Sequence, residues 1–111
     1  MKLEIQTIWS PDLSPPSEGL PDDLEDFDIL MQVSLAEAGK PGGEVFSFNV
    51  SSPSALVRLE SNRFISHTPV LESFNWKSIK NRIEKLLSHT ASCRDWNEVI
   101  KNLSGYLKHS D

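Results

Sequence analysis

Residues 27–50 read FDILMQVSLAEAGKPGGEVFSFNV. Phe27, Ile29, Met31, Val33 and Leu35 alternate cleanly, and Phe46, Phe48 and Val50 alternate again. A period of two places each set on one face of an extended strand, whereas a helix repeats every 3.6 residues. Between the two sets, Glu37 to Gly43 (EAGKPGG) supplies the glycines and proline of a turn. The sequence therefore predicts a β-hairpin with strands over 27–35 and 44–50, joined by a connection longer than two residues. One face of that hairpin is apolar. The rest of the chain has to build a layer that covers it.

The material for that layer follows. Leu3 to Trp9 (LEIQTIW) alternates at Leu3, Ile5 and Thr7 and closes on Ile8-Trp9, a strand signal ended by Pro11, which cannot donate to a ladder. Ser52 is placed to cap a short helix, SPSALVRLES, with Pro53 at its first position. Phe64 to Phe74 reads as extended but interrupted at Pro69, which predicts a strand over Val70 to Phe74. A helix begins at Asn75 and runs to about His89, with Trp76, Ile79, Ile83, Leu86 and Leu87 as its apolar stripe and Lys77, Lys80, Arg82 and Lys85 on its solvated faces. Asp95-Trp-Asn-Glu98 has capping-box spacing, and Trp96, Val99, Ile100, Leu103 and Leu107 form the stripe of a last helix. Strands and helices are segregated rather than alternating. The predicted fold is α+β, an antiparallel sheet of about four strands with helices packed on one face, two of them C-terminal.

A chain of 111 residues fits one domain, 1–111, and buries a core without staples. It has a single cysteine, Cys93, so no internal disulfide forms. It opens MKLEIQ with no apolar segment after the first Lys, and no apolar run approaches the ~20 residues that span a bilayer. The expectation is a cytoplasmic protein that does not enter a membrane.

The net charge of −5 is unevenly spread. Residues 1–60 hold three bases and eleven acids, or −8, while residues 61–111 hold eight bases and five acids, or +3. Six of the acids, Glu18, Asp22, Asp23, Glu25, Asp26 and Asp28, fall within eleven residues that contain no Lys or Arg. Five of them sit in a loop over residues 10–26 that also holds Pro11, Pro15, Pro16, Gly19 and Pro21, and Asp28 follows it in the predicted strand. Long loops in compact domains are commonly functional or mobile, and an acidic run of this kind reads either as a solvated loop or as a surface shaped for a partner. A surface this acidic repels phosphate, which argues against nucleic acid as a partner. It attracts and steers a basic protein.

Metal chemistry does not fit the acids. A calcium loop needs acids at alternating positions and a Gly at the sixth. Counting from Asp22 the third position is Leu24 and the sixth Phe27, and counting from Asp26 the sixth is Met31. One Cys and the scattered His67, His89 and His109 give no zinc spacing. Catalysis has no candidate either. Cys93 and His89 are four apart at a helix end, which suits a small residue in a helix–helix connection, and Ser66-His67 is equally unspecific. No nucleophile elbow, phosphate loop or dinucleotide fingerprint is present. Trp76 and Trp96 begin helices on their apolar stripes and read as core. Trp9, beside the acidic loop, reads either as core or as the flank of an interface, where Trp is enriched.

The chain resembles the immunity protein 8 family of bacterial polymorphic toxin systems. The likeness lies in Ile8-Trp-Ser-Pro-Asp-Leu13, the acidic run into Phe27, the strand–Gly–strand segment through Phe46-Ser-Phe-Asn-Val50, and the Ser52-Pro53 helix start. It continues in the Trp-led helix followed by Asp95-Trp96 and a further helix. It spans nearly the whole chain, and Ser10-Pro11-Asp12 with Leu13 is its sharpest motif. The resemblance implies a small cytosolic α+β protein, encoded beside a toxin, that binds the cognate toxin domain and blocks it. It implies no enzymatic activity, no catalytic residues and no cofactor. Combined with the charge pattern, it predicts that Glu18, Asp22, Asp23, Glu25, Asp26 and Asp28, with Trp9, face a basic toxin. The competing expectation is a non-enzymatic interaction module or complex subunit unrelated to toxins.

Overall fold

The computed structural model describes residues 1–59 and 70–110. Four strands, β1 (Leu3–Trp9), β2 (Asp28–Glu37), β3 (Glu44–Ser51) and β4 (Lys108–His109), form one antiparallel sheet in the order β1-β2-β3-β4. Among the described residues three α-helices accompany it, α1 (Pro53–Leu59), α2 (Trp76–Leu87) and α3 (Trp96–Leu103), with a 3-10 turn, Ser88–Thr90, after α2.

The hairpin forms as its pattern requires. Ile29 pairs with Val50, Met31 with Phe48 and Val33 with Phe46, so both alternating sets share one face. Met31, Val33, Leu35, Phe46 and Val50 are fully buried there. Burying each such side chain contributes about 1.5–3 kcal/mol relative to exposure. The alternate positions Asp28, Leu30, Gln32 and Ser34 are only half-buried, which marks the outer face of the sheet. In the turn, Gly43 has φ +147°, and a Cβ there would lie 2.2 Å from the Leu35 carbonyl oxygen, so only glycine fits.

Strand β1 does not alternate throughout. Its register against β2 shifts between Ile5 and Thr7, a bulge that leaves one extra residue, Gln6, on β1. Ile5 then opposes Leu35 and Ile8 opposes Val33, so an odd and an even position both face the core. The same shift turns Thr7 and Trp9 toward the outer face, opposite Ser34 and Gln32.

Helices α2 and α3 close the core from above. Ile79 and Ile83, one turn apart, and Val99 and Leu103 join the buried sheet residues in a single cluster. Each helix starts at a side-chain cap. Asn75 Oδ1 accepts from the Ser78 N–H at 3.0 Å, and Asp95 Oδ1 accepts from the Glu98 N–H at 2.9 Å. Glu98 reaches back to accept from the Arg94 N–H at 2.8 Å, one residue before the cap, which makes a variant of the reciprocal box.

Two expectations are corrected. Val70 to Phe74 is not a strand: Val70 makes one parallel bridge to Ser51, and the chain then turns so that Phe74 plugs the core and its N–H donates to the Leu24 carbonyl at 2.8 Å. The fourth strand is Lys108–His109, held beside β3 by the Ser110 N–H to the Val45 carbonyl and by His109 against Glu44, both at 2.9 Å. The last helix stops at Leu103. Leu107 is buried as expected, but from the turn that carries the chain to β4. The early part of the expected extended segment, residues 64–69, and the end of the expected α1, residues 60–61, lie outside the described residues.

Two substitutions separate the contributions. Phe46→Ala should cost about 3–5 kcal/mol of unfolding free energy by leaving a cavity under the sheet. Asp95→Ala should cost about 1 kcal/mol by removing one cap. Urea titrations of the two variants check both.

Candidate functional site

The acidic loop is built on a substitution of side chains for backbone. Strand β1 ends at Trp9, opposite Gln32, so the next rung of β2, at Leu30, has no backbone neighbour on that side. Pro11 has no N–H to offer it. Ser10 Oγ donates to the Leu30 carbonyl at 2.5 Å, and Asp12 Oδ2 accepts from the Leu30 N–H at 2.9 Å. The Asp12 N–H donates in turn to Ser10 Oγ at 3.1 Å. Ser10-Pro11-Asp12 thus completes the ladder while the chain leaves the sheet, and Leu13 drops into the core behind it.

The loop is then tied to three other elements. The Glu18 and Gly19 N–H groups both donate to the Pro15 carbonyl, at 3.2 and 2.6 Å. Gly19 packs so tightly that a Cβ would stand 2.7 Å from that oxygen. Its own carbonyl accepts from the Trp76 indole N–H at 2.8 Å, which fixes the loop to the start of α2. The Leu24 carbonyl takes the Phe74 N–H. Further along, Ser54 Oγ on α1 lies 3.2 Å from the Glu25 carbonyl and 3.1 Å from Asp26 Oδ1. Ser52 caps α1 by accepting from the Ala55 N–H at 3.3 Å, and the same hydroxyl accepts from the Phe27 N–H at 3.0 Å. Phe27 and Phe74 meet edge to face, with ring centroids 5.4 Å apart.

This scaffold opens a groove of about 490 Å³ whose lining includes Leu13, Phe27 and Ile29 as apolar floor and Asp12, Asp22, Asp23 and Asp26 as acids. The structure therefore brings together three of the six predicted acids, Asp22, Asp23 and Asp26. Glu18 and Glu25 are exposed on the loop but do not line the groove. Asp28 points elsewhere. It accepts from Ser51 Oγ at 2.6 Å and from the Asn49 amide at 3.4 Å, across the β2–β3 pair on the outer face. Trp9, half-buried on that same outer face, does not line the groove either. Asp12 joins the acids although the charge pattern does not single it out. Its signal is the strand–Ser–Pro–Asp sequence, which reads as a turn before it reads as a site.

Several acids also hold the loop's own shape. Asp23 Oδ1 accepts from the Glu25 N–H at 2.9 Å, a local side-chain turn. Among the described residues, no Lys, Arg or His stands within ion-pair distance of Glu18, Asp22, Asp23 or Glu25. Their negative charge is left to act outward. Among those residues no group of His, Cys, Asp and Glu is arranged to hold a metal ion. The sequence pair Cys93 and His89 is not brought together as a nucleophile and base: Cys93 is buried with its N–H on the Thr90 carbonyl, while the exposed His89 ring stacks edge-on to Tyr106. Ser66-His67 lies outside the described residues. No helix among the described residues is long and apolar enough to cross a membrane.

The Asp12 rung has a direct test. Asp12→Asn keeps an oxygen for the Leu30 N–H, whereas Asp12→Ala removes it. Amide exchange at Leu30 should stay slow in D12N and speed up in D12A, with a stability loss of about 1–3 kcal/mol in the latter alone. Equally fast exchange in both would place the role in the carboxylate's charge instead, and equally slow exchange in both would remove the rung from the account.

The chain matches the model of the Immunity protein 8 family over residues 3–109, and it belongs to that family. No curated protein and no solved structure matches it.

Proposed function

We propose that this chain, acting as one domain in the bacterial cytoplasm, is an immunity protein of a polymorphic toxin system. It binds the cognate toxin domain, blocks it and so protects the producing cell. The observation that carries this reading is the family match over residues 3–109. It acts by occupying a surface, with no catalytic step of its own.

The acidic loop is the part of the molecule best suited to that contact. Its backbone is held by α1, α2 and the residues around Phe74, so little ordering entropy is lost when a partner docks. An apolar floor edged with carboxylates matches a Lys or Arg, whose methylene stem lies on apolar surface while its cationic head meets Asp22, Asp23 or Asp12. A toxin that acts on nucleic acid presents such cations to phosphate, and the loop offers carboxylates in their place. The excess of acids in residues 1–60 also draws a basic domain in from a distance.

Co-expression with the toxin domain encoded beside the gene tests the function: growth is restored and the two proteins co-purify. Rescue without a complex would place the action on the toxin's target instead. The charge contribution is tested with Asp22→Asn, Asp23→Asn and Glu25→Gln together, which keep shape and remove three charges. Association at low salt should slow by about 10-fold, and the difference should shrink as salt rises. An unchanged association rate would remove the acidic loop from the account.

A further inference from the structure

Large apolar side chains left in water are informative when they gather. Five are exposed among the described residues: Leu20, Leu24, Val57, Val70 and Tyr106. Tyr106 leans edge-on against His89, 6.3 Å between centroids, near the C-terminal turn. The acidic loop carries Leu20 and Leu24, the bridge to Ser51 carries Val70, and α1 carries Val57, and all three segments lie at the end of the sheet where β2 begins and β3 ends. Leu20 follows Gly19, whose carbonyl is bound by Trp76. Leu24 is bound through its carbonyl by Phe74. Val70 bridges Ser51, beside the Ser52 cap of α1, and the next N–H, that of Leu71, donates to Ser51 at 3.0 Å. Val57 is three residues after Ser54, so the two project from the same face of α1, and Ser54 touches Glu25 and Asp26.

Val57 is the sharpest of the four. It is 74% exposed, more than any other large apolar side chain described. A β-branched residue on an exposed helix position gains nothing from packing and is a weak helix former.

We propose that Leu20, Leu24, Val57 and Val70 form the apolar centre of the surface that meets the toxin, with the loop acids as its rim. This rests on the immunity reading above and specifies the partner's chemistry: an apolar patch flanked by Lys or Arg. Protein interfaces have this anatomy, with an apolar core and a polar edge. The charge decides between occupants. A second copy docking the same face would set Glu18, Asp22, Asp23 and Glu25 against their own kind, a repulsion that Arg82, bound to the Val70 carbonyl at 3.1 Å, offsets only in part. A basic-rimmed partner pairs with them. The apolar centre governs how long the complex lasts, while the rim governs how fast it forms.

The test is the triple variant Leu20→Ser, Leu24→Ser, Val57→Ser, measured against the toxin domain encoded beside the gene. It changes no charge, and its three positions are exposed, so its thermal unfolding should match the unsubstituted protein. The expected result is dissociation at least ~10-fold faster, with the salt dependence of association unchanged. If the unsubstituted protein binds and the variant dissociates at the same rate, the apolar centre is overturned and the immunity reading stands. If the unsubstituted protein itself neither binds nor protects, the immunity reading fails and takes this inference with it. If the unsubstituted protein self-associates and the variant is monomeric with unaltered toxin binding, a second copy covers the patch and the proposal is overturned.

Discussion

The N–H and C=O of Leu30 face a place where β1 has already ended. A backbone rung left open there would either recruit water into the edge of the core or force β1 to continue. Ser10 and Asp12 close it with side-chain atoms at 2.5 and 2.9 Å, and Pro11 between them prevents β1 from extending. The course of the acidic loop follows from that exit. The chain leaves the sheet at a fixed point, Leu13 seals the core beneath it, and residues 14–26 are free to run as a loop that never competes for ladder hydrogen bonds.

That loop is irregular but anchored. Its contacts come from α2 through Trp76, from α1 through Ser54, and from the core plug Phe74. The acids divide accordingly. Asp12, Asp23, Asp26 and Asp28 each bond to neighbouring backbone or hydroxyl groups and help set the shape. Glu18, Asp22 and Glu25 have no such side-chain bond among the described residues, and their charge projects into solvent. One segment thus uses the same residue type for two purposes: a carboxylate that satisfies a nearby N–H or O–H stabilises the loop, and one that does not leaves a field for a partner.

How much of this could be read from the residues depends on how local each cause is. The hairpin was legible because alternation fixes both faces and the glycines fix the turn. The start of α2 at Asn75 and the cap of α3 at Asp95 were legible because each residue acts within one turn of itself. The bulge was not. Ile8-Trp9 after Leu3, Ile5 and Thr7 breaks the alternation, but only the pairing with β2 shows that the extra residue returns Ile8 to the core. The fourth strand was misplaced for a similar reason. Val70 to Phe74 has the composition of a strand, yet Phe74 is worth more as a core plug than as an edge residue. Lys108–His109 is two residues long and carries no period; β3 recruits it through long-range contacts. The candidate groove was legible only in part. Charge density picked out the segment but could not tell Asp28, turned to the outer face, from Asp22 at the groove. Nor could it foresee that Ser54, far along the chain on α1, would bond to the Glu25 carbonyl and to Asp26.

Hydrogen exchange of the protein alone and in complex with the toxin domain tests the central claim most directly, because it maps the contact without altering a residue. The account predicts that protection rises at residues 18–27 and on α1, and is unchanged along the outer sheet face at Trp9, Gln32 and Ser47. Protection that rises on the outer face while the loop and α1 stay as they were would contradict it.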